Sequence, residues 1–250
     1  MKGKLALVSG GSRGIGAAIA RAFAAEGAKV VIASRKEEEL SATAASINAE
    51  FPASVVARAC HMGKPEAIDE LMTFIERELG LVDVAVNNAA TNAHFGPLLS
   101  VTWPAWDKNF ELNLKGYFEV ARQVATRLLA QNKPGSIINI ASIVGMRGTP
   151  GQGVYGMTKA AVISMTQTLA VELGRAGIRV NAIAPGLVET RLAAAITGNA
   201  DAARYFTERA PLGRHAQPEE IAGAAVYLGS DESSFMTGQT LAVDGGWTIA

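Results

Sequence analysis

Residues 4–16, which read KLALVSGGSRGIG, decide the fold. Lys4 to Ser9 is a short apolar run rich in strand formers, and the glycine-rich run Gly10 to Gly16 leads into a helical pattern that extends to Glu26. Glycines allow a tight turn and a close approach of the backbone to a ligand, and a helix N-terminus supplies N–H donors and positive potential. A strand, a glycine turn and a helix in this order predict a site for the pyrophosphate of a dinucleotide.

The rest of the chain continues the alternation of strands and helices. Further strands are predicted at residues 29–33, 54–58, 82–86, 136–141, 178–183 and 240–243. We therefore expect an α/β fold with a doubly wound parallel sheet of about seven strands and helices on both faces. No linker interrupts the pattern, so residues 1–250 form a single predicted domain. The longest insertion, residues 187–214, is expected to be a substrate lid.

The composition excludes several classes of function. The chain has 23 basic and 23 acidic residues and a formal net charge of zero, so no global charge attracts nucleic acid or a membrane surface. Its single cysteine, Cys60, cannot form an internal disulfide and is typical of a reducing compartment, so we expect a cytoplasmic location. Cys60 and His61 are adjacent but have no partner cluster, and no metal is expected. No apolar stretch is long enough to predict a signal peptide or a membrane span.

Tyr155 and Lys159 are four positions apart and therefore lie on one face of a predicted helix. A free phenol ionises near pH ~10, and an ammonium held beside it favours the phenolate and lowers that pKa. The spacing predicts a tyrosine that exchanges a proton with an alcohol or carbonyl oxygen, and Ser142 is placed to hold the same oxygen by a hydrogen bond.

Several motifs in order resemble the short-chain dehydrogenase/reductase family over essentially the whole chain. They are Ser9-Gly10 through Gly16, Asn87-Asn88-Ala89-Ala90, Asn113, Ser142, Tyr155 with Lys159, Pro185-Gly186 with Thr190, and Asp244-Gly245-Gly246. The resemblance implies a Rossmann-type fold, an oxidoreductase acting on a CH–OH group, and a catalytic set of Asn113, Ser142, Tyr155 and Lys159. In that family the backbone carbonyl at the position of Asn113 holds a water in a proton relay to the lysine.

The residues predicted to contact the nicotinamide cofactor follow strand ends. They are Gly10, Ser12, Arg13, Gly14, Ile15, Gly16, Ser34, Arg35, His61, Met62, Asn88, Ala89, Ala90, Tyr155, Lys159, Pro185, Gly186, Val188 and Thr190. Two of them depart from the family pattern. His61 stands where an Asp commonly contacts the adenine, and Ala90 stands where a Gly is usual.

The residues after the second strand indicate which cofactor is used. An acidic residue there accepts from a ribose 2′-hydroxyl, whereas an Arg accommodates a 2′-phosphate. No carboxylate occurs before Glu37, and Arg35 and Arg13 place two guanidinium groups on the same side. The sequence therefore predicts NADP(H).

The predicted substrate is a small carbonyl compound, reduced reversibly to a secondary alcohol. The residues expected to line its pocket are His94, Phe95, Ser142, Met146, Val154, Leu192, Ile196 and Phe206. The runs at 34–36 and 60–64 resemble NADPH-dependent carbonyl reductases. An alternative is a 3-oxoacyl-acyl-carrier-protein reductase, in which Lys133 and Arg175 hold the acidic carrier, although Ala176 stands where one Arg is expected. A remote alternative is a non-catalytic cofactor-sensing protein.

The chain is also expected to be a homo-oligomer, most simply a tetramer. The predicted helix from Val154 to Arg175 is apolar on more than one side, and its own sheet covers only one of them. The helix from Pro104 to Gln131 is the expected companion across the interface. Phe110, Leu114, Phe118 and Val124 are its side chains expected at this interface. Trp247 is expected in a second contact between subunits.

Overall fold

The computed structural model describes all 250 residues and has one sheet of seven parallel strands in the order β3-β2-β1-β4-β5-β6-β7. The strands are β1 (Leu5–Ser9), β2 (Lys29–Ser34), β3 (Val55–Ala59), β4 (Val84–Asn87), β5 (Gly135–Ile140), β6 (Ile178–Pro185) and β7 (Thr240–Val243). The inner strands are almost continuous runs of buried Val, Ile, Leu and Ala, as a sheet covered on both faces requires. The predicted fold class is confirmed.

Nine α-helices connect and cover the strands. They are α1 (Gly14–Ala25), α2 (Glu37–Glu50), α3 (Pro65–Glu78), α4 (Trp103–Phe110), α5 (Gly116–Ala130), α6 (Gly153–Leu173), α7 (Ala194–Thr197), α8 (Ala200–Thr207) and α9 (Glu219–Gly229). Helices α1, α2 and α9 form one apolar core with the sheet, and α3, α5 and α6 form another on the opposite face. No helix is long and apolar enough to cross a membrane. The cytoplasmic location stays a prediction.

The strand order reverses direction between β1 and β4. The chain runs outward from β1 to β3 and then returns to β4, which pairs with the other side of β1 through Val8 and Val86. The connections after β1 and β4 therefore leave the sheet in opposite directions and open a crevice at its carboxyl edge, where open α/β sheets bind their ligands. The motifs that follow β1, β4, β5 and β6 meet at this crevice.

The helix expected from Pro104 to Gln131 is interrupted at its centre. Residues Glu111–Lys115 form a π-helical turn between α4 and α5, which holds one residue more than an α-helical turn. Just after it, a Cβ on Gly116 would lie 2.0 Å from the Met62 carbonyl oxygen, so the two backbones are in direct contact there. Val124, expected at a subunit interface, is instead buried in this chain's own core, because it faces the sheet.

The predicted lid, residues 187–214, contains α7, α8 and irregular segments. Ile196, Phe206 and Ala210 of the lid are buried against Ile143, Val144 and Trp247 in a small core of their own. Trp247 stacks on Phe206 with ring centroids 6.0 Å apart. Trp247, predicted for a second subunit contact, is buried within the chain because this cluster already covers it.

Candidate active site

A cleft at the crevice, here called the outer cleft, is lined by the glycine turn and by the ends of β2 and β4. The predicted cofactor residues that line the outer cleft are Gly10, Ser12, Arg13, Gly14, Ile15, Ser34, Arg35, Met62, Asn88, Ala89, Ala90 and Thr190. The φ angles of Gly10 and Gly14 are +67° and +53°, conformations that a side chain disfavours. Gly16 does not line the cleft, but a Cβ there would lie 2.3 Å from the Gly10 carbonyl oxygen. Its role is therefore to let α1 close on the turn.

Asn88 and Ser9 hold the two sides of the crevice together. The Asn88 amide nitrogen donates to the carbonyl oxygens of Ser9 at 2.9 Å and Gly10 at 3.2 Å. In return the Ser9 hydroxyl accepts from the backbone N–H groups of Asn88 at 2.9 Å and Ala89 at 3.1 Å. These bonds fix the glycine turn to the end of β4.

A group of charged side chains surrounds the far end of the outer cleft. Glu39 in the first turn of α2 is paired with Arg13 at 2.7 Å and Lys36 at 2.9 Å, and Arg191 lies 4.0 Å away. The hydrogen bond from Lys36 lowers the pKa of Glu39, and the charges of the nearby cations contribute. Arg35 lines the same cleft without an ion pair of its own. Positive charge thus exceeds negative charge where β2 ends.

The outer cleft fits a dinucleotide carrying a phosphate on its ribose. The Ser34 hydroxyl at the end of β2 is buried without a hydrogen-bond partner and borders the cleft. A buried hydroxyl without a partner is destabilising, so a ligand oxygen at this position supplies what the chain does not. The glycine turn at the N-terminus of α1 suits a pyrophosphate, and the cations around Glu39 suit a further phosphate.

His61 is not among the residues that line the outer cleft. Its neighbours Cys60 and Met62 line it, while the His61 ring nitrogen Nδ1 accepts from the backbone N–H of Gly63 at 3.2 Å. The adenine contact of His61 stays a prediction that this arrangement does not support.

A second cavity, here called the inner pocket, continues from the outer cleft below the lid. Ser142, Tyr155, Lys159, Pro185, Gly186 and Val188 line it, together with Leu192, Ile196 and Phe206 from the predicted substrate set. Ser142 follows β5, and Tyr155 and Lys159 lie one turn apart on α6. The structure therefore brings together three of the four predicted catalytic side chains in one pocket.

Lys159 is only 1% exposed and has no carboxylate partner. Its ammonium nitrogen donates to the Ile140 carbonyl oxygen at 2.7 Å and to the Tyr117 hydroxyl at 3.2 Å. Burial lowers the pKa of Lys159 to about 7, because a charge in an apolar interior loses its hydration.

The same burial shifts the pKa of Tyr155 in the opposite direction. Burial raises the pKa of the Tyr155 phenol above its ordinary value, and the neighbouring Ser142 hydroxyl partly opposes this change. The sequence predicts that Lys159 lowers this pKa, and that prediction is not met in this arrangement. The physical reason is that the charged form of the buried phenol loses its hydration, and the Lys159 ammonium, which donates to Tyr117 and Ile140, does not offset that loss.

Asn113 lies in the π-helical turn and its side chain is fully occupied. Its amide nitrogen donates to the Thr91 carbonyl oxygen at 2.9 Å and to the Thr158 hydroxyl at 3.1 Å, and its amide oxygen accepts from the Thr91 N–H at 2.8 Å. The side chain of Asn113 thus fixes the loop after β4 to the residue that precedes Lys159.

The comparisons with known proteins agree with this geometry. The family model described as enoyl-(acyl carrier protein) reductase matches residues 10–248. A 3-oxoacyl-[acyl-carrier-protein] reductase of Thermotoga maritima is 37% identical over 249 residues, covering 100% of this chain and 99% of that protein. The chain belongs to the short-chain dehydrogenase/reductase family. It is an NAD(P)-dependent oxidoreductase acting on a CH–OH or keto group.

Other members of the short-chain dehydrogenase/reductase family are equally similar over the whole length. The human dehydrogenase/reductase SDR family member 4 is 35% identical, with 97% of this chain and 87% of that protein covered. A gluconate 5-dehydrogenase of Burkholderia cenocepacia, solved with NADP and tartrate, has a TM-score of 0.95 and 35% identity and covers 100% of this chain and 97% of that one.

Three residues of this short-chain dehydrogenase/reductase site are not predicted individually, although Asn92 and Gln152 lie in the segments 91–95 and 144–154 that are expected to form the wall of the substrate pocket. Gln152 is buried and lines the inner pocket, and its amide oxygen accepts from the amide nitrogen of Asn92 at 2.8 Å. The amide oxygen of Asn92 is itself buried without a partner. Glu39 lines the outer cleft. The position of Gln152 three residues before Tyr155 is the only signal in the sequence that points to it individually.

Four of the predicted substrate residues do not line the inner pocket. Val154 is 1% exposed and packs inside the chain, and the ring of His94 contacts the Pro97 carbonyl oxygen within its own loop. Phe95 and Met146 are about half exposed and lie outside this lining. Their assignment to the substrate stays a prediction. For Val154 the reason is that α6 directs only every third or fourth side chain toward the pocket.

Proposed function

We propose that this enzyme uses NADPH to reduce a small, uncharged ketone to a secondary alcohol, and that the reaction is reversible. The observation that carries the proposal is the inner pocket itself. Ser142, Tyr155 and Lys159 face one cavity, which is otherwise lined mainly by apolar side chains and opens into the outer cleft. A proton donor, a hydrogen-bonding hydroxyl and a buried lysine beside a dinucleotide cleft are the groups that carbonyl reduction requires.

NADP(H) is the cofactor that the outer cleft favours. Arg13, Arg35, Lys36 and Arg191 surround the end of β2, and Glu39 is their only acidic neighbour in the lining. Arg binds phosphate oxygens through a planar pair of N–H groups, which suits a ribose 2′-phosphate. The NADP in the structurally similar gluconate 5-dehydrogenase is consistent with this choice.

Tyr155 acts as the proton donor in the proposed mechanism. When bound, NADPH supplies the hydride. The raised pKa of Tyr155 keeps the phenol protonated at neutral pH, so it is ready to give its proton to the carbonyl oxygen. Ser142 donates a hydrogen bond to the same oxygen. Lys159 holds the hydroxyls of the nicotinamide ribose with the N–H that Tyr117 and Ile140 leave free.

The lining of the inner pocket limits the substrate. Lys159 is the only charged side chain in it, so no cation is free to pair with a substrate carboxylate. Leu192, Ile196 and Phe206 supply apolar surface from the lid. The Asn92–Gln152 pair adds one polar position. These features favour a partly apolar ketone with one additional hydrogen-bonding group over a sugar acid.

A 3-oxoacyl chain on acyl carrier protein is the second candidate substrate. The 37% identity to the Thermotoga maritima reductase over the whole chain favours it. Lys133 and Arg175 are exposed, as docking of an acidic carrier requires, and Ala176 removes a third possible cation.

A homotetramer is proposed for the assembly. Val171 of α6 is 83% exposed, Leu99 and Trp103 near α4 are 100% and 75% exposed, and Phe118 of α5 is 46% exposed. Apolar side chains exposed on two neighbouring helices are covered most simply by a second copy of the same surface. Phe235 and Ile249 near the C-terminus provide a second apolar surface for joining dimers. Light scattering at micromolar concentration is expected to give a multiple of 26.0 kDa, and a monomer would contradict the proposal.

The function is tested by following NADPH oxidation with matched groups of substrates. We expect turnover with activated uncharged ketones and little with keto sugar acids. A 3-oxoacyl group is offered both on a short pantetheine thioester and on acyl carrier protein. A much higher kcat/KM on the carrier favours the second candidate, equal values favour the first, and no oxidation with any ketone contradicts the proposed function.

A further inference from the structure

Tyr117 contacts the catalytic lysine from the side of the protein interior. It is 2% exposed and lines neither the outer cleft nor the inner pocket. Its hydroxyl nevertheless accepts a hydrogen bond from the ammonium of Lys159 at 3.2 Å. A buried phenol in this place is not required for packing alone, because an apolar side chain of similar size would leave no polar atom to satisfy.

The contact forms one side of a closed triangle of polar groups. Lys159 donates to the Ile140 carbonyl oxygen at 2.7 Å, and the Tyr117 hydroxyl donates to the same oxygen at 3.3 Å. The Lys159 nitrogen also lies 4.7 Å from the centroid of the Tyr117 ring, compared with 5.6 Å for the ring of Tyr155. An ammonium has three N–H donors, so two are used on this side and one remains for the inner pocket.

Tyr117 is itself held in place by its neighbours. Its backbone carbonyl oxygen accepts from the amide nitrogen of Asn87 at 3.1 Å, and the same nitrogen donates to the amide oxygen of Asn139 at 2.9 Å. Its ring packs against Ala141, Val162 and Ala182. The hydroxyl therefore has a fixed position relative to β5 and α6.

We propose that Tyr117 is a positioning residue for Lys159, and that its hydroxyl and the Ile140 carbonyl fix the ammonium so that its third N–H points at the bound cofactor. This inference rests on the proposed function, since both concern the same lysine. Tyr117 touches neither substrate nor cofactor and acts only through Lys159.

The pKa of Lys159 distinguishes a positioning role of Tyr117 from a merely structural one, because loss of a structural contact alone would leave that pKa unchanged. Tyr117 and Tyr155 are the titratable side chains that face its ammonium, and no carboxylate does so. An oxygen that accepts from the ammonium favours its charged form. Loss of the Tyr117 hydroxyl is therefore expected to lower the pKa of Lys159 below its value of about 7.

The experiment compares Tyr117→Phe with Tyr227→Phe, a matched loss of one hydroxyl on α9. Nitrogen NMR of labelled lysine follows the titration of Lys159, which is assigned with Lys159→Met, and NADPH binding is measured by fluorescence. For Tyr117→Phe we expect the midpoint to fall by about half to one pH unit and the dissociation constant to rise about 3- to 10-fold. Tyr227→Phe is expected to match the wild type. Unchanged midpoint and affinity in a folded Tyr117→Phe protein would overturn the proposal.

A measurement on the unmodified protein covers the case in which Tyr117→Phe does not fold. The chain has four tyrosines, so the ring carbon signal of Tyr117 is assigned by elimination with Phe variants of the other three. That signal is expected to shift at the pH at which Lys159 titrates, and a Tyr117 signal insensitive to this titration would overturn the proposal. Neither NMR measurement requires turnover, so absence of ketone reduction would reject the proposed function without deciding this inference.

Discussion

The outer cleft and the inner pocket are parts of one groove, but they hold positive charge in different ways. In the outer cleft the side chains of Arg13, Lys36 and Arg191 are 49%, 62% and 67% exposed and gather around Glu39. In the inner pocket Lys159 is 1% exposed, and its partners are a phenol and a carbonyl oxygen. Salt screens the charges of exposed cations, whereas burial lowers the pKa of a cation because its charge loses hydration. The outer cleft therefore attracts an anion through several exposed cations. The inner pocket instead has one lysine, Lys159, whose charge depends on pH.

The largest effect is expected in the inner pocket from Tyr155→Phe. Only the hydroxyl is lost, so we expect turnover to fall ~10²–10⁴-fold while the dissociation constant of NADPH stays near that of the wild type. The measurements are NADPH oxidation with the best ketone and fluorescence titration of NADPH. Tyr227→Phe on α9 serves as the control and is expected to keep full turnover. Retention of wild-type turnover by Tyr155→Phe would remove Tyr155 from the mechanism.

Lys159→Met is expected to change stability in a pH-dependent manner. The folded pKa of about 7 lies below the ordinary value of 10.5, so between these values the unfolded chain binds a proton that the folded chain does not. Lysine therefore destabilises the fold most below about pH 7, and this cost disappears as pH rises to 10.5. The gain from Met should be on the order of a few kcal/mol at low pH and should shrink as pH rises.

Urea unfolding of Lys159→Met and the wild type at a series of pH values measures this gain. Arg35→Met removes a cation from the exposed end of the groove and is the control, with a stability difference that does not depend on pH over the same range. A gain from Lys159→Met that stays constant with pH would show that Lys159 does not titrate as its burial predicts.

Arg35→Asp tests the outer cleft with a smaller expected effect. The substitution removes a cation and adds a charge that repels a 2′-phosphate, so kcat/KM for NADPH relative to NADH should fall roughly 10- to 100-fold. Arg77→Asp makes the same charge change on the exposed surface of α3 and should leave the ratio unaltered. A wild-type enzyme that prefers NADH would contradict the assignment of the cofactor.

The smallest effect is expected from Glu39→Gln. Removal of this carboxylate frees Arg13 and Lys36 for a phosphate, so the affinity for NADPH should rise by about 2- to 5-fold at low salt and by less at high salt. The affinity for NADH should change little. Glu38→Gln alters an exposed carboxylate on the same helical turn and provides the matched control. Equal effects of the two substitutions would mean that Glu39 has no special relation to the cleft.

Local pattern was sufficient to predict the parallel sheet, the glycine turn and the position of Ser142, Tyr155 and Lys159. Each of these depends on a short stretch of sequence and on the rule that strand ends meet at one edge of the sheet. The contacts Asn92–Gln152 and Tyr117–Lys159 join residues 60 and 42 positions apart, so no local period reveals them. The role of Glu39 depends on how α2 packs beside the glycine turn. The sequence predicts a lowered pKa for Tyr155 from the spacing of Lys159, but it does not show that the phenol is buried, and burial raises that pKa.

The π-helical turn at Glu111–Lys115 also determines how a change in the number of residues between α4 and α5 would affect the orientation of the two helices. Each residue of an α-helix advances its faces by about 100°, whereas the π turn takes one further residue for the same full turn. Deletion of one residue from this turn would therefore give an ordinary α-helical turn, and Val120, Val124 and Leu128 of α5 would keep facing the core. The same deletion within the regular turns of α5 would rotate the residues after it by about 100° relative to those before it. Sequence comparison across Glu111–Lys115 should therefore accept a gap of one residue more readily than a gap within α5.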